Sequence, residues 1–326
     1  MNCNYWLKKW VFIATVAMAL YGCTSGPDSD TLSSPDHFRI VCTTGMITDI
    51  VSQIAGDRAE VSGLMGSGVD PHLYKPTRSD IARLTSADLV FYNGLLLEGK
   101  FTDAFLRLSR AGIPVHALAE QLDREWILAD EEDRSADDPH LWMDPLAWIE
   151  VSKHARDALI AFDPEGEGVY RENTRVLIEN LNKLHEYSEK VLTSIPENRR
   201  ILITAHDAFQ YFGQRYNIEV EGIQGLSTES EAGVRDIERL VNLLVAREIP
   251  AVFIESTVSD RNIRALIEGA QARNHEVRIG GELFSDAFGQ AGTYRGTYIG
   301  MIDHNVTTIA RELGGEAPEK GFQGLL

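Results

Sequence analysis

The tetrapeptide Asp-Pro-His-Leu occurs twice, at Asp70-Pro71-His72-Leu73 and at Asp138-Pro139-His140-Leu141, each among turn-forming residues. Proline fixes its own φ and pushes the residue before it towards an extended conformation, so each histidine stands on a stiff piece of loop. A rigidly held imidazole suits a metal ion. Two further residues offer compatible donors: His206, after the apolar run Ile201-Leu202-Ile203-Thr204-Ala205, and Asp286, at the end of the glycine-bearing stretch Gly280-Gly281-Glu282-Leu283-Phe284-Ser285. Three imidazoles and one carboxylate would form a closed four-donor site for a divalent transition ion such as zinc or manganese. The lack of thiolate argues against copper(I) or an iron–sulfur cluster. Each residue also has an ordinary reading, Asp286 as a loop cap and His206 as a hydrogen-bonded core histidine, and spacing alone does not assemble them.

Several neighbours could support such a site. Asp70 and Asp138 could hydrogen-bond a ligand imidazole or simply shape the turn before proline, and Glu255, ending the apolar run 251–254, faces the same rim by strand-end logic. Asp144 precedes Pro145 and a helical run, which reads as an N-cap. His37, His116, His154, His185, His275 and His304 belong to no such motif. The acidic run Asp130-Glu131-Glu132-Asp133 reads as a solvated loop, with metal collection as the alternative.

The elements that must position these donors alternate. Short β-rich runs at 38–44, 60–65, 88–93 and 113–117 are interleaved with helical periodicity at 46–55, 79–86 and 102–110, with Thr77 or Ser79 as cap for the second helix. The second half repeats the style, with strands at 200–205, 218–223, 251–255 and 277–280 and helices at 208–216, 234–247, 263–273 and 297–313. This predicts two α/β lobes with largely parallel sheets. Between them, from Asp163-Pro164 to Ser194-Ile195-Pro196, Tyr170, Leu177, Leu181, Leu184 and Val191 form one apolar stripe. A helix of about 30 residues, roughly 45 Å long, would cross both lobes, with Asp163 as its cap. The division reads as 1–22 signal peptide, 23–36 tether, 37–162 first lobe, 163–196 linking helix and 197–326 second lobe.

The amino-terminal segment carries Lys8 and Lys9, an apolar stretch from Trp10 to Leu20, then Leu20-Tyr21-Gly22-Cys23, which resembles a bacterial lipobox. Lipidation at Cys23 would leave Cys42 as the one remaining thiol, in an apolar run where an inert buried cysteine is expected. Residues 24–36 are rich in Ser, Asp and Pro and read as flexible. The formal charge is −18, and removing residues 1–22 takes away two lysines and no acid, giving −20. That balance makes nucleic acid an unsuitable partner.

The segments around His72 (Val69 to Pro76), His140 (Asp138 to Asp144), His206 (Thr204 to Phe212) and Asp286 (Gly280 to Ala287) resemble the metal-binding solute receptors of bacterial ABC importers, the cluster that includes TroA and ZnuA. The resemblance runs in order through nearly all of the mature chain. It implies two α/β lobes joined by one long helix, a metal buried between them, and ligands carried over as His72, His140, His206 and Asp286. Manganese-only members tend to place Glu where His206 stands, so the chain looks closer to the TroA type, associated with both zinc and manganese. Zinc receptors often carry a long His-rich acidic loop where this chain has only the short run at 130–133.

The function expected is a lipid-anchored monomeric receptor, periplasmic or at the cell surface. It would capture zinc or manganese and deliver it to an ABC permease, and through that to the ATPase. It is read as not an enzyme, because four protein ligands close a site that catalytic zinc keeps open. Two rivals remain: a surface adhesion or interaction protein with a structural metal, and a secreted metallohydrolase, for which Glu255 is the nameable general base.

Overall fold

The computed structural model describes residues 37–129 and 136–326. The signal peptide, Cys23, the tether and the acidic run at 130–133 lie outside the described residues. Within the first lobe, β1 (Phe38–Cys42), α1 (Gly45–Ala55), β2 (Ala59–Gly63), α2 (Arg78–Thr85), β3 (Leu89–Tyr92), α3 (Thr102–Arg110) and β4 (Val115–Ala117) follow the alternation read from the sequence. Their strands form one parallel sheet in the order β2-β1-β3-β4. Helix α1 starts where the Thr44 side chain accepts from the Ile47 N–H, and it buries Ile47, Ile50, Val51 and Ile54. Helix α2 starts at a capping box in which the Thr77 hydroxyl accepts from Asp80 N and the Asp80 carboxylate accepts from Thr77 N. Helix α4 (Pro145–Phe162) begins at Asp144, whose carboxylate accepts from Leu146 N, with proline in the first turn.

Helix α5 (Glu167–Thr193) is the linking rod, about 40 Å long for its 27 residues. Its predicted stripe is buried: Tyr170, Leu177, Leu181, Leu184 and Val191 all face the core. It packs against α1 and α4 of the first lobe and against α9 (Tyr298–Glu312) of the second, so both lobes bury it. Asp163 is not its side-chain cap. A short 3-10 turn at Pro164–Gly166 intervenes, and the Asp163 carboxylate is taken by Arg58 (Nε at 2.7 Å) and by the Tyr170 hydroxyl at 2.5 Å, stronger partners than a helix amide.

In the second lobe, β5 (Ile201–His206), α6 (Gln210–Tyr216), β6 (Glu219–Gln224), α7 (Val234–Arg247), β7 (Ala251–Glu255), α8 (Arg261–Gln271) and β8 (Arg278–Leu283) precede α9. Here the strands form two parallel pairs, β5-β6 and β7-β8. The inner strands β5 and β7 lie side by side without a ladder. At the site end the reason is visible: the His206 N–H donates to the Glu255 side chain at 2.8 Å, not to a β7 carbonyl. The mixed α/β class, with parallel sheets and one long linking helix, is the architecture expected.

Candidate metal centre

Each candidate donor stands just beyond, or at, the carboxyl end of a strand or on a loop that follows one, where α/β folds gather ligands. His72 sits in the β2–α2 connection, His140 before α4, His206 on the last residue of β5, and Asp286 three residues after β8. Just past His206, β6 comes so close that a Cβ on Gly222 would lie 2.6 Å from Asp207 N, so glycine is required at this point of the strand.

The four side chains converge. One donor atom from each of His72, His140, His206 and Asp286 lies within 4.8 Å of all the others. His72 Nε2 is 3.3 Å from His140 Nε2, and His206 Nε2 is 3.2 Å from Asp286 Oδ2. The remaining carboxylate separations are 3.4 Å from Asp286 Oδ1 to His140 Nε2 and 3.6 Å from Oδ2 to His72 Nε2. Donors about 2.0–2.1 Å from a central ion at tetrahedral angles are separated by about 3.3–3.4 Å, so the spacing fits such an ion. Asp286 Oδ1, Asp286 Oδ2 and His206 Nε2 are buried without a hydrogen-bond partner among the described residues. Buried polar atoms are almost always paired, and three orphans aimed at one point fit a cation that would satisfy them.

Two of the rings are held from behind. His140 Nδ1 lies 2.7 Å from Asp138 Oδ1, which also accepts the His140 backbone N–H at 2.9 Å. His206 Nδ1 lies 2.6 Å from Glu255 Oε2, and the other Glu255 oxygen accepts the His206 N–H. A carboxylate on Nδ1 fixes the ring and turns Nε2 to the centre. Glu255, with both oxygens engaged on His206, is not poised as a general base beside an open position. Of the two readings of Asp70, the geometry has the turn-shaping one: its carboxylate accepts from the backbone N–H of His72 at 2.8 Å and of Leu73 at 3.3 Å, because the Asp-Pro turn folds it back onto its own chain. Asp144 caps α4 and receives Arg215 from the other lobe, Nη2 to Oδ2 at 2.6 Å, so it stands apart from the donors.

The charge balance follows from burial and these carboxylates. Burial opposes protonation of His140, but Asp138 and Asp286 outweigh it and push the ring up to about 9. His206 is likewise driven well above the usual histidine range: burial opposes, and Glu255 and Asp286 prevail. Burial pushes Asp286 up, yet His206 and His140 hold it well below the carboxylate range. His72, with no carboxylate behind its ring among the described residues, is pushed down to about 3 by burial.

Further residues hold the site that sequence reasoning did not single out. The Asn93 side chain donates to Pro139 O at 3.1 Å, bracing the turn that carries His140. Its position just past β3 was the available signal. Across the cleft, Trp142 Nε1 donates to Ser285 O at 2.8 Å, beside Asp286, and the Tyr211 hydroxyl to Asp138 O at 2.9 Å, two residues before His140. Three of the histidines outside the motifs have partners elsewhere: His304 Nε2 meets Glu282 O, His275 Nε2 meets Ile249 O, and His185 pairs with Tyr216.

Comparison with known proteins agrees with this architecture. Residues 40–312 match the family model described as "Zinc-uptake complex component A periplasmic". The chain is 42% identical over 307 residues to the manganese-binding lipoprotein MntA of Bacillus subtilis (strain 168), covering 94% of this chain and 98% of that protein. It is 43% identical over 274 residues to the zinc-binding protein TroA of Treponema pallidum (strain Nichols), covering 84% and 88%. The solved structure of the periplasmic zinc-binding protein TroA from that organism superposes with a TM-score of 0.82, covering 85% of this chain and 99% of that one. With the fold, the converging donors and these matches together, the chain belongs to the zinc-uptake complex component A family of metal-binding receptors.

Proposed function

We propose that this chain is the extracytoplasmic receptor of an ABC importer, capturing one zinc or manganese ion between its lobes through His72, His140, His206 and Asp286 and delivering it to a membrane permease. The observation that carries this reading is the convergence of three buried imidazoles on a buried carboxylate that has no hydrogen-bond partner among the described residues. The donor set suits either ion. Because affinity follows the Irving–Williams order, with manganese weakest, the binding site alone does not reject zinc, and selection rests on geometry and on what the permease accepts. MntA is named for manganese and TroA for zinc, which supports a site able to hold both. The carboxylates Asp138 and Glu255 orient His140 and His206.

The reading includes export on a signal peptide at 1–22, a lipid on Cys23 and a tether to residue 36. It also includes a lobe at 37–162, a linker at 163–196 and a lobe at 197–326, acting as a monomer. No described helix is long and apolar enough to cross a membrane. A transport role rather than catalysis is supported by four protein donors and by the engagement of Glu255. The test is accumulation of radioactive zinc and manganese by cells carrying the chain with its permease. Uptake that Asp286→Ala abolishes supports the reading, and unchanged uptake overturns it.

A further inference from the structure

Three of the four donors are sealed, with His140 and His206 at 0% exposure and Asp286 at 2%, whereas His72 retains 7%. His72 is also the donor that opens onto a cavity of about 460 Å³, walled by Leu96, Lys100, Pro139, Leu226 and Glu229. It is therefore the solvent side of the site. Its ring has no carboxylate behind it among the described residues, unlike the rings of His140 and His206. What holds His72 is its backbone, through Asp70 Oδ1.

The other oxygen of Asp70 is held from across the cleft. The Thr228 hydroxyl donates to Asp70 Oδ2 at 2.6 Å. Thr228 belongs to the stretch between β6 and α7, which includes Gly225 and Gly233 at its two ends. Its neighbour Glu229 forms an ion pair with Lys100 of the first lobe, over the same cavity. Two adjacent residues of one connection thus tie the lobes together beside the solvent-facing donor, and one of the ties ends on the carboxylate that shapes the His72 turn.

We propose that Thr228 is a positioning residue for His72 and that, with the Lys100–Glu229 pair, it forms a gate over the mouth of the site, so that His72 is the first donor to let go when metal leaves. Any separation of the lobes at this rim must break the Thr228–Asp70 bond, which leaves the Asp-Pro-His turn to the hydrogen bonds of its own lobe while the carboxylate-backed rings stay in place. Metal then leaves, and enters, past His72. This inference rests on the receptor reading above.

The test loads the full chain with zinc and follows its extraction by excess chromophoric chelator in a stopped-flow instrument. Wild-type protein that takes up no stoichiometric zinc would remove the receptor reading itself. Given loading, Thr228→Val should speed extraction roughly tenfold, the scale of one hydrogen bond to a charged group. Thr228→Ser, which keeps the hydroxyl, should return the rate to within about twofold of wild type. The absorption spectrum of the cobalt(II)-loaded Thr228→Val protein should match wild type, since the bound geometry is unchanged and only the route is opened. Extraction from Lys100→Met should lose the ionic-strength dependence that the exposed pair gives the wild type. A wild-type rate in Thr228→Val, or an equally raised rate in Thr228→Ser, would overturn the proposal.

Discussion

Acidity should act on metal binding in a range well above that of free histidine. An ion can bind only to imidazole nitrogens that have shed their protons, so each histidine protonated in the metal-free protein releases one proton on binding. The carboxylates behind His140 and His206 raise both rings, the first to about 9 and the second well above the usual histidine range, while His72 stays neutral and Asp286 ionised. Two protons are then displaced per ion throughout the range from pH 8 to pH 6. Affinity should fall about a hundredfold for each unit of acidification, or about 5.5 kcal/mol over the two units. Three histidines titrating near 6.5 would instead lose only about twofold between pH 8 and 7. The assay is competition for zinc against a chelator of known affinity at each pH, paired with calorimetry in two buffers of different ionisation enthalpy to count protons. Asp138→Asn removes the charge behind His140 and should bring the slope towards one proton. A change of less than tenfold between pH 8 and 7, with no proton released, would refute the reasoning.

Other outcomes follow from the same geometry. His72→Ala, His140→Ala, His206→Ala and Asp286→Ala should each weaken zinc by at least about a hundredfold in that competition, whereas His304→Ala, whose ring meets Glu282 O, should leave it unchanged. Glu255→Gln should weaken binding roughly 10–100-fold through loss of the partner on His206 Nδ1. The metal-free protein should become less stable as pH rises from 6.5 to 9. A histidine raised in the folded state stabilises it fully below the unfolded value and loses that contribution as pH passes the folded value, worth about 3 kcal/mol for His140. Thermal melts of metal-free protein at the two pH values check this, and a higher midpoint at pH 9 would contradict it.

The alternation of short β-branched runs with helical periodicity made the two α/β lobes legible, and the 3–4 spacing of Tyr170 through Val191 made the linking helix so. The second lobe's split into β5-β6 and β7-β8 was not legible; it shows at the site end in the Glu255 side chain taking the His206 N–H across the strands. The donors were legible as types: two Asp-Pro-His turns, a histidine ending a strand, an aspartate in a glycine-bearing loop. Their convergence was not, because it is made by contacts between distant segments such as Trp142 to Ser285 and Tyr211 to Asp138. Asp138 and Asp70 share one local motif, yet Asp138 reaches a ring and Asp70 reaches only backbone in its own lobe; Thr228, from across the cleft, takes the second Asp70 oxygen.

The most direct test of the central claim is elemental mass spectrometry of the purified protein after chelation and reloading with equal zinc and manganese. The account predicts one transition-metal ion per chain, lost in Asp286→Ala and regained without unfolding in the wild type. A wild-type chain that holds no stoichiometric ion, or an Asp286→Ala chain that holds it as tightly, would contradict it.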